Sequence, residues 1–368
     1  MTVGRRAAGP ASRSLCRMKK TPIVLLAVLA MLLAGCSSLK QLEWERIVPA
    51  GDCHCADGSK FGFWERRADP TRVVFFLNGG GVCWDATSCA FTGEHGESDF
   101  YDWSNGSADP ENRSGMFDTT RSDNPFAEFS YLYVSSCTGD AHLGDATQKY
   151  SPELTVEHRG YVNGTAALDY LAAHYPDAAE VVVVGKTAGS VAAPIYGGLV
   201  ADRLPKAKVT VLGGQSGAWP DNPDFNADIL DARWGAYHAA PGWAVDGSAA
   251  RDWGVPRFWT RTARHNPGIV LARFDFAYDP HAAAEVVPWS GGRTTLATID
   301  ANEAAIEAAI EAAGVPLHSF TAPGDDHGIF EYEKFYEIAV NGVRLVDWVH
   351  ALVTGTPPAD VHCVRCDP

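Results

Sequence analysis

The chain has 368 residues, of which 46% are hydrophobic and 11% aromatic. That composition describes a globular body with a sizeable core and excludes a disordered tail. The formal net charge of −15 repels phosphate, which excludes nucleic acid as a natural partner.

The N-terminus reads as a targeting segment. Lys19-Lys20 form a positive flank, and Ile23 to Ala34 is an unbroken apolar run of twelve residues ending at Leu33-Ala34-Gly35-Cys36. Twelve residues are too few to span a bilayer as a helix but suit a signal core. Leu-Ala-Gly-Cys resembles a bacterial lipobox, in which Cys36 becomes the lipidated N-terminus. Residues 1–35 are therefore expected to be a lipoprotein signal peptide, with 1–17 an upstream start or an extended positive region. Residues 36–45 are expected to be a short tether and 46–368 a single domain. The expected location is exported and membrane-anchored, at the outer membrane if the cell is Gram-negative. Removing six Lys/Arg and no acid with residues 1–35 leaves 24 bases against 45 acids, a net charge of −21.

Apolar runs then alternate with helical stretches. Arg72–Leu77 reads as a buried strand followed by glycines, and Phe129–Val134 as another strand. Tyr161–His174 reads as a helix. Glu180–Val184 is a strand ending at Gly185, and Ala188–Leu204 is the helix behind it. Lys208–Leu212 and Ile269–Phe274 are strands. Asp300 and Glu303 suggest a capping box for a helix that stops at Gly314. Leu317–Thr321 is a strand, and Tyr332–Leu352 a last helix. Strands and helices in this alternation predict an α/β, α/β-hydrolase-like fold with a mostly parallel sheet covered on both faces.

Two stretches interrupt the pattern. Residues 90–128 are rich in Asp, Ser, Gly and Asn. Residues 217–262 hold five of the eleven tryptophans. Insertions of this length are lids or binding loops, or they pack a small core of their own.

Seven cysteines remain after Cys16 and Cys36 are set aside: Cys53, Cys55, Cys83, Cys89, Cys137, Cys363 and Cys366. In an oxidising compartment an odd number predicts disulfides plus one free thiol. Cys83 and Cys89 could close a small loop. Cys53-His54-Cys55 and His362-Cys363 to Cys366 could staple the termini together, or the same residues could hold zinc.

The chemistry concentrates at Gly185-Lys186-Thr187-Ala188-Gly189. A Gly-x-Ser-x-Gly turn between strand and helix exposes a nucleophile at the top of the sheet. Here the serine is replaced by Thr187. Upstream, Asn78-Gly79-Gly80-Gly81 follows a strand, and its bare backbone N–H groups can face a developing oxyanion together with that of Ala188. The acid and base should follow in the order nucleophile, acid, histidine. His327 follows the strand Leu317–Thr321. The strand Ile269–Phe274 is followed by two acids, Asp275 and Asp279, which spacing does not separate. Ser216 and Ser190 are lesser candidates for the nucleophile.

In chain order the sequence carries Phe76-Leu77-Asn78-Gly79-Gly80-Gly81-Val82-Cys83-Trp84-Asp85, Asn124-Pro125-Phe126, Ser136-Cys137-Thr138-Gly139-Asp140-Ala141-His142-Leu143-Gly144-Asp145, His158-Arg159-Gly160, Gly185 to Pro194, Ala277-Tyr278-Asp279 and the loop to His327. Together these resemble the pectin acetylesterase/Notum family in its bacterial branch, over residues 45–352. The resemblance implies a carboxylic ester hydrolase, an O-deacylase of an acylated small molecule or glycan, without a cofactor or a metal. It implies Thr187 at the nucleophile site, Asp279 as the acid, His327 as the base, and Gly80, Gly81 and Ala188 as the oxyanion hole. Three departures stand out. Thr187 replaces serine, Gln215 sits where the family usually has an acid, and His281 sits where a glutamine is common. Threonine keeps a hydroxyl, but its β-branch suits a strained turn poorly. The expectation is a slow enzyme, or an esterase fold that binds a glycan or acylated ligand without turning it over.

Overall fold

The computed structural model describes residues 43–105, 110, 113–219, 221–290 and 295–366. The signal, the lipobox at Cys36 and most of the tether lie outside the described residues. Thirteen strands are described. β1 (Glu45–Ile47), β2 (Phe63–Arg66), β3 (Asp69–Leu77) and β4 (Phe129–Val134) come first, followed by the hairpin β5 (Ala146–Lys149) and β6 (Thr155–His158). β7 (Glu180–Lys186), β8 (Lys208–Gly214), β9 (Val270–Phe276) and β10 (Leu317–Ala322) follow. A second hairpin, β11 (Ala339–Val340) and β12 (Val343–Arg344), precedes β13 (Val361–His362).

Nine of them form one sheet, in the order β1-β2-β4-β3-β7-β8-β9-β10-β13. Pairing is parallel from β4 across to β13, and only β2 runs against its neighbours. The fold class expected from the sequence is found. The four valines Val181 to Val184 show why the centre of the sheet is so placed. All are fully buried, with alternate side chains entering two different apolar clusters, one on each face. A strand covered on both sides has no use for polar alternation. The helices that cover it include α1 (Gly160–His174), α2 (Ala188–Arg203), α3 (Val255–His265), α4 (Pro280–Val286), α5 (Ile299–Ala312) and α6 (Leu345–Val353).

The strand order reverses beside β3, whose neighbours are β4 on one side and β7 on the other. In open parallel sheets ligands bind outside the carboxyl ends of the strands at such a switch point. Leu77 and Gly185 are register partners there, so the glycine run after β3 and the turn after β7 emerge side by side.

Three expectations need correction. Tyr332–Leu352 is not one helix. A short helix, Lys334–Glu337, is followed by the β11–β12 hairpin and then α6. The break is Asn341-Gly342, with φ of 51° and 83°, the left-handed pair that a tight hairpin turn requires. Asp300 does not cap α5. The N-cap is Thr298, and a capping box joins Thr295 and Thr298 one turn earlier. The termini are not stapled together. Cys55 bridges to Cys137, Cys83 to Cys89, and Cys363 to Cys366. Among the described residues Cys53 is the free, buried thiol, and the terminal Cys/His set does not gather into a metal site.

Candidate active site

Thr187 sits between β7 and α2 at φ 47°, ψ −116°. A β-branched residue in that region is strained by ~1–3 kcal/mol. The flanking glycines leave no choice about the turn. A Cβ on Gly185 would lie 2.5 Å from Gly189 O, and one on Gly189 would collide with Leu77 O at the end of β3. The turn is closed by Thr187 N–H donating to Gly214 O at 2.8 Å and by Ser190 N–H donating to Thr187 O at 2.9 Å.

The glycine run reaches the same point. A Cβ on Gly79 would collide with Thr187 Oγ1, so the hydroxyl lies directly against that backbone. Among the described residues, the N–H groups of Gly80 and Gly81 have no acceptor. Ala188, fully buried, opens α2, where the helix dipole favours negative charge. The run is held from behind by the Ser136–Asp145 segment. His142 is bonded through Nε2 to Asn78 O at 2.8 Å, and burial lowers its pKa to about 4, so the ring stays neutral and Nε2–H donates. Cys83 N–H donates to Gly139 O at 2.9 Å.

On the other side, Asp279 caps α4. Its Oδ1 accepts the N–H groups of His281 and Ala282 at 2.9 and 3.1 Å. Its Oδ2 lies 2.6 Å from His327 Nδ1. In the neutral ring that bond places the proton on Nδ1, which leaves Nε2 with the lone pair. Of the two acids that spacing did not separate, Asp279 is the one in contact with His327. Asp275 instead accepts Gly217 N–H at 2.9 Å and pairs with Arg273. Thr187 and His327 line one cavity of about 540 Å³. No hydrogen bond joins Thr187 Oγ1 to His327 among the described residues. His281 is exposed, its ring centroid 4.6 Å from that of His327. Ser190 and Ser216 are bonded to each other through their hydroxyls at 2.5 Å, both buried, and neither lines the cavity.

Other groups at the cavity were not singled out by the sequence. Lys186, beside Thr187 in the elbow, pairs with Glu331, whose side chain is fully buried. Arg113 bonds the same carboxylate at 3.1 Å, and Tyr133 O–H donates to it at 3.3 Å. Glu331 lies four residues past His327, so this cluster ties the turn that carries Thr187 to the loop that carries His327. Its one signal in the sequence was the lysine inside the elbow pattern. Asp102 faces Gly80, and burial, aided by Glu97, raises its pKa to about 7. Glu285, on α4, accepts Trp219 Nε1–H at 3.3 Å. Burial raises its pKa to about 7, against the pull of His327.

Of the two insertions, 90–128 supplies a wall through Glu97 to Asp102 and Arg113. The tryptophans of 217–262 do not line the cavity among the described residues. Trp219, Trp234, Trp253 and Trp259 are buried in the main core, with Trp243 half-buried against it. Gln215 sits at φ 66° with both side-chain polar atoms buried and unpartnered among the described residues.

Residues 45–240, more than half of the chain, match the family model described as pectinacetylesterase. The chain belongs to the pectinacetylesterase family. No curated protein matches its sequence significantly. Among solved structures it is similar to the Wnt deacylase Notum from Drosophila, with a TM-score of 0.65 and 16% identity over 88% of this chain and 97% of that one. At that identity the likeness shows the fold. Within this pectinacetylesterase member, the matched region contains the elbow and glycine run, while Asp279 and His327 come from the remainder.

Proposed function

We propose that this chain is a carboxylic ester hydrolase of the family's bacterial branch, an O-deacylase that uses Thr187 as nucleophile, His327 as base and Asp279 as the acid that orients it. One observation carries the reading. His327, bonded to Asp279 at 2.6 Å, shares a cavity with an elbow residue whose hydroxyl lies against the Gly79 backbone.

The steps follow from these atoms. Thr187 Oγ1 attacks the ester carbonyl carbon and passes its proton to His327 Nε2. The carbonyl electron pair moves onto oxygen and is received by the N–H groups of Gly80, Gly81 and Ala188. Each such donor is worth ~3 kcal/mol in comparable sites. Collapse breaks the bond to the alcohol, which leaves with the proton from His327. Water repeats the sequence and releases the acid. Asp279, held in place by two backbone N–H groups, keeps the imidazole in the tautomer that can accept.

The reading extends to location and domain count. We place the protein outside the cytoplasm, anchored through lipidated Cys36, with residues 46–368 as a single domain. The three disulfides favour an oxidising compartment.

The test is labelling by a fluorophosphonate probe together with hydrolysis of p-nitrophenyl acetate. Thr187→Ser should label faster than the wild type, and Thr187→Ala should neither label nor turn over. Turnover by the alanine variant equal to the wild type would sink the nucleophile assignment. One observation favours a second reading, a ligand-binding protein on an esterase fold: the strained Thr187 makes no hydrogen bond to His327 among the described residues. Wild-type turnover that disappears in His327→Ala excludes that reading.

A further inference from the structure

The cavity beside Thr187 is uneven in charge. Among the described residues its two permanent cations, Lys186 and Arg113, are both bonded to the fully buried carboxylate of Glu331. Four carboxylates line the same cavity: Glu97 and Asp99 on the exposed rim, Asp102 beside Gly80, and Glu285 next to His327. Among the described residues, none of the four forms an ion pair. Trp84 lines the cavity as well, its indole nearly perpendicular to the rings of Phe100 and Trp289, with centroids 6.3 and 5.6 Å away. The acids stand at two walls, around the point where the ester must lie, so this is a feature of the reacting cavity and not of a distant surface.

A positive group entering here gains from the carboxylates and from contact with the indole of Trp84. A negative group meets carboxylates while the two cations are already occupied. The net charge of −15 extends the same preference to long range. We propose that the site selects esters whose alcohol portion carries a positive charge, a protonated amine or a quaternary ammonium, over neutral or uronate alcohols. The proposal rests on the ester-hydrolase reading for its chemistry and names the substrate class within it.

The protonation of the walls agrees. Asp102 faces Glu97, Lys186, Arg113 and Glu331, and its pKa is raised to about 7 by burial first and Glu97 second. Glu285 faces Trp219, Asp279 and His327 and is likewise raised to about 7. Both carboxyls are poised to ionise when a cation arrives, and the ionised form is the one a cation stabilises.

The test uses an isosteric pair, acetylcholine and 3,3-dimethylbutyl acetate, which differ in charge and hardly in shape. The full chain should hydrolyse the cationic ester with kcat/KM higher by about tenfold or more, the step that one good cation contact supplies. Asp102→Asn with Glu285→Gln should bring the ratio towards one. A ratio of one or below in the wild type overturns the proposal and leaves the esterase reading standing. Calorimetry with choline and 3,3-dimethylbutanol reads the same preference without turnover. If neither ester is hydrolysed and choline still binds about tenfold more tightly, the selection stands and the esterase reading fails. Equal binding of the two alcohols overturns the selection.

Discussion

Asp279 and His327 meet at 2.6 Å, and both oxygens of the carboxylate are engaged. Thr187, on the same cavity, sits at φ 47° without a hydrogen bond to the imidazole among the described residues. In the proposed triad the acid–base half is thus complete before any substrate arrives. The proposed nucleophile half depends on a strained turn enforced by Gly185 and Gly189 and on a side chain one methyl larger than serine. The contrast teaches where this site can still be improved. Geometry that three contacts over-determine tolerates little change, whereas the elbow carries a residue that its own backbone disfavours.

The largest effect should come from breaking the completed half. Asp279→Asn removes the charge that orients His327 and should lower kcat by ~10²–10⁴, read by steady-state kinetics. A loss under tenfold would show that the pair does not act as a unit. Next comes the link between the halves. Lys186→Met leaves Glu331 with Arg113 and Tyr133 only and should cost ~1–3 kcal/mol of stability. It should reduce kcat more than it changes KM, because the elbow loses its tie to the histidine loop, and Lys186→Arg should restore most of both. A melting temperature equal to the wild type would remove the tie from the account.

The remaining tests are smaller. Preference for a cationic ester should grow between pH 6 and 8. The sign follows from raised carboxyl pKa values: Asp102 and Glu285, at about 7, are neutral below that and negative above it. A preference that is flat across the window in the wild type would assign the selectivity to the rim acids Glu97 and Asp99. Thr187→Gly relieves the positive φ and, after the entropy a glycine costs, should stabilise the fold by about 1 kcal/mol while abolishing turnover. A destabilised glycine variant would mean that the elbow is not strained.

Much of this was legible in the sequence for a physical reason. Strands such as Glu180–Lys186 are buried on both faces and announce themselves by unbroken apolar runs. The glycines of the elbow mark places where side chains would collide. What depended on tertiary contact was less readable. Asp275 lies near the end of β9 and Asp279 three residues past it, and only their partners, Gly217 and His327, tell them apart. The carboxylates 97, 99 and 102 lie in a polar stretch where nothing local distinguishes a cavity wall from a solvated loop. Cysteine pairing depends on which segments meet, so the link from Cys55 to Cys137 had no sequence signal. The hairpin at Asn341-Gly342 is different, because its turn signal was present and the apolar spacing around it read as one helix.

The free thiol has a consequence for how the chain matures. Cys53 lies two residues from Cys55, whose bridge to Cys137 spans 82 positions and ends beside Ser136, against Gly80. Disulfide shuffling begins when a thiolate attacks a neighbouring sulfur. Burial, with Asp52 beside it, pushes the Cys53 thiol up, so little of the attacking form exists at neutral pH. The folded chain thereby disfavours its own isomerisation, and any mispairing of Cys53 with Cys137 is expected before that thiol is covered. Oxidative refolding of a Cys53→Ser chain should therefore give a more homogeneous product, with the gain confined to the folding reaction and absent from the finished protein.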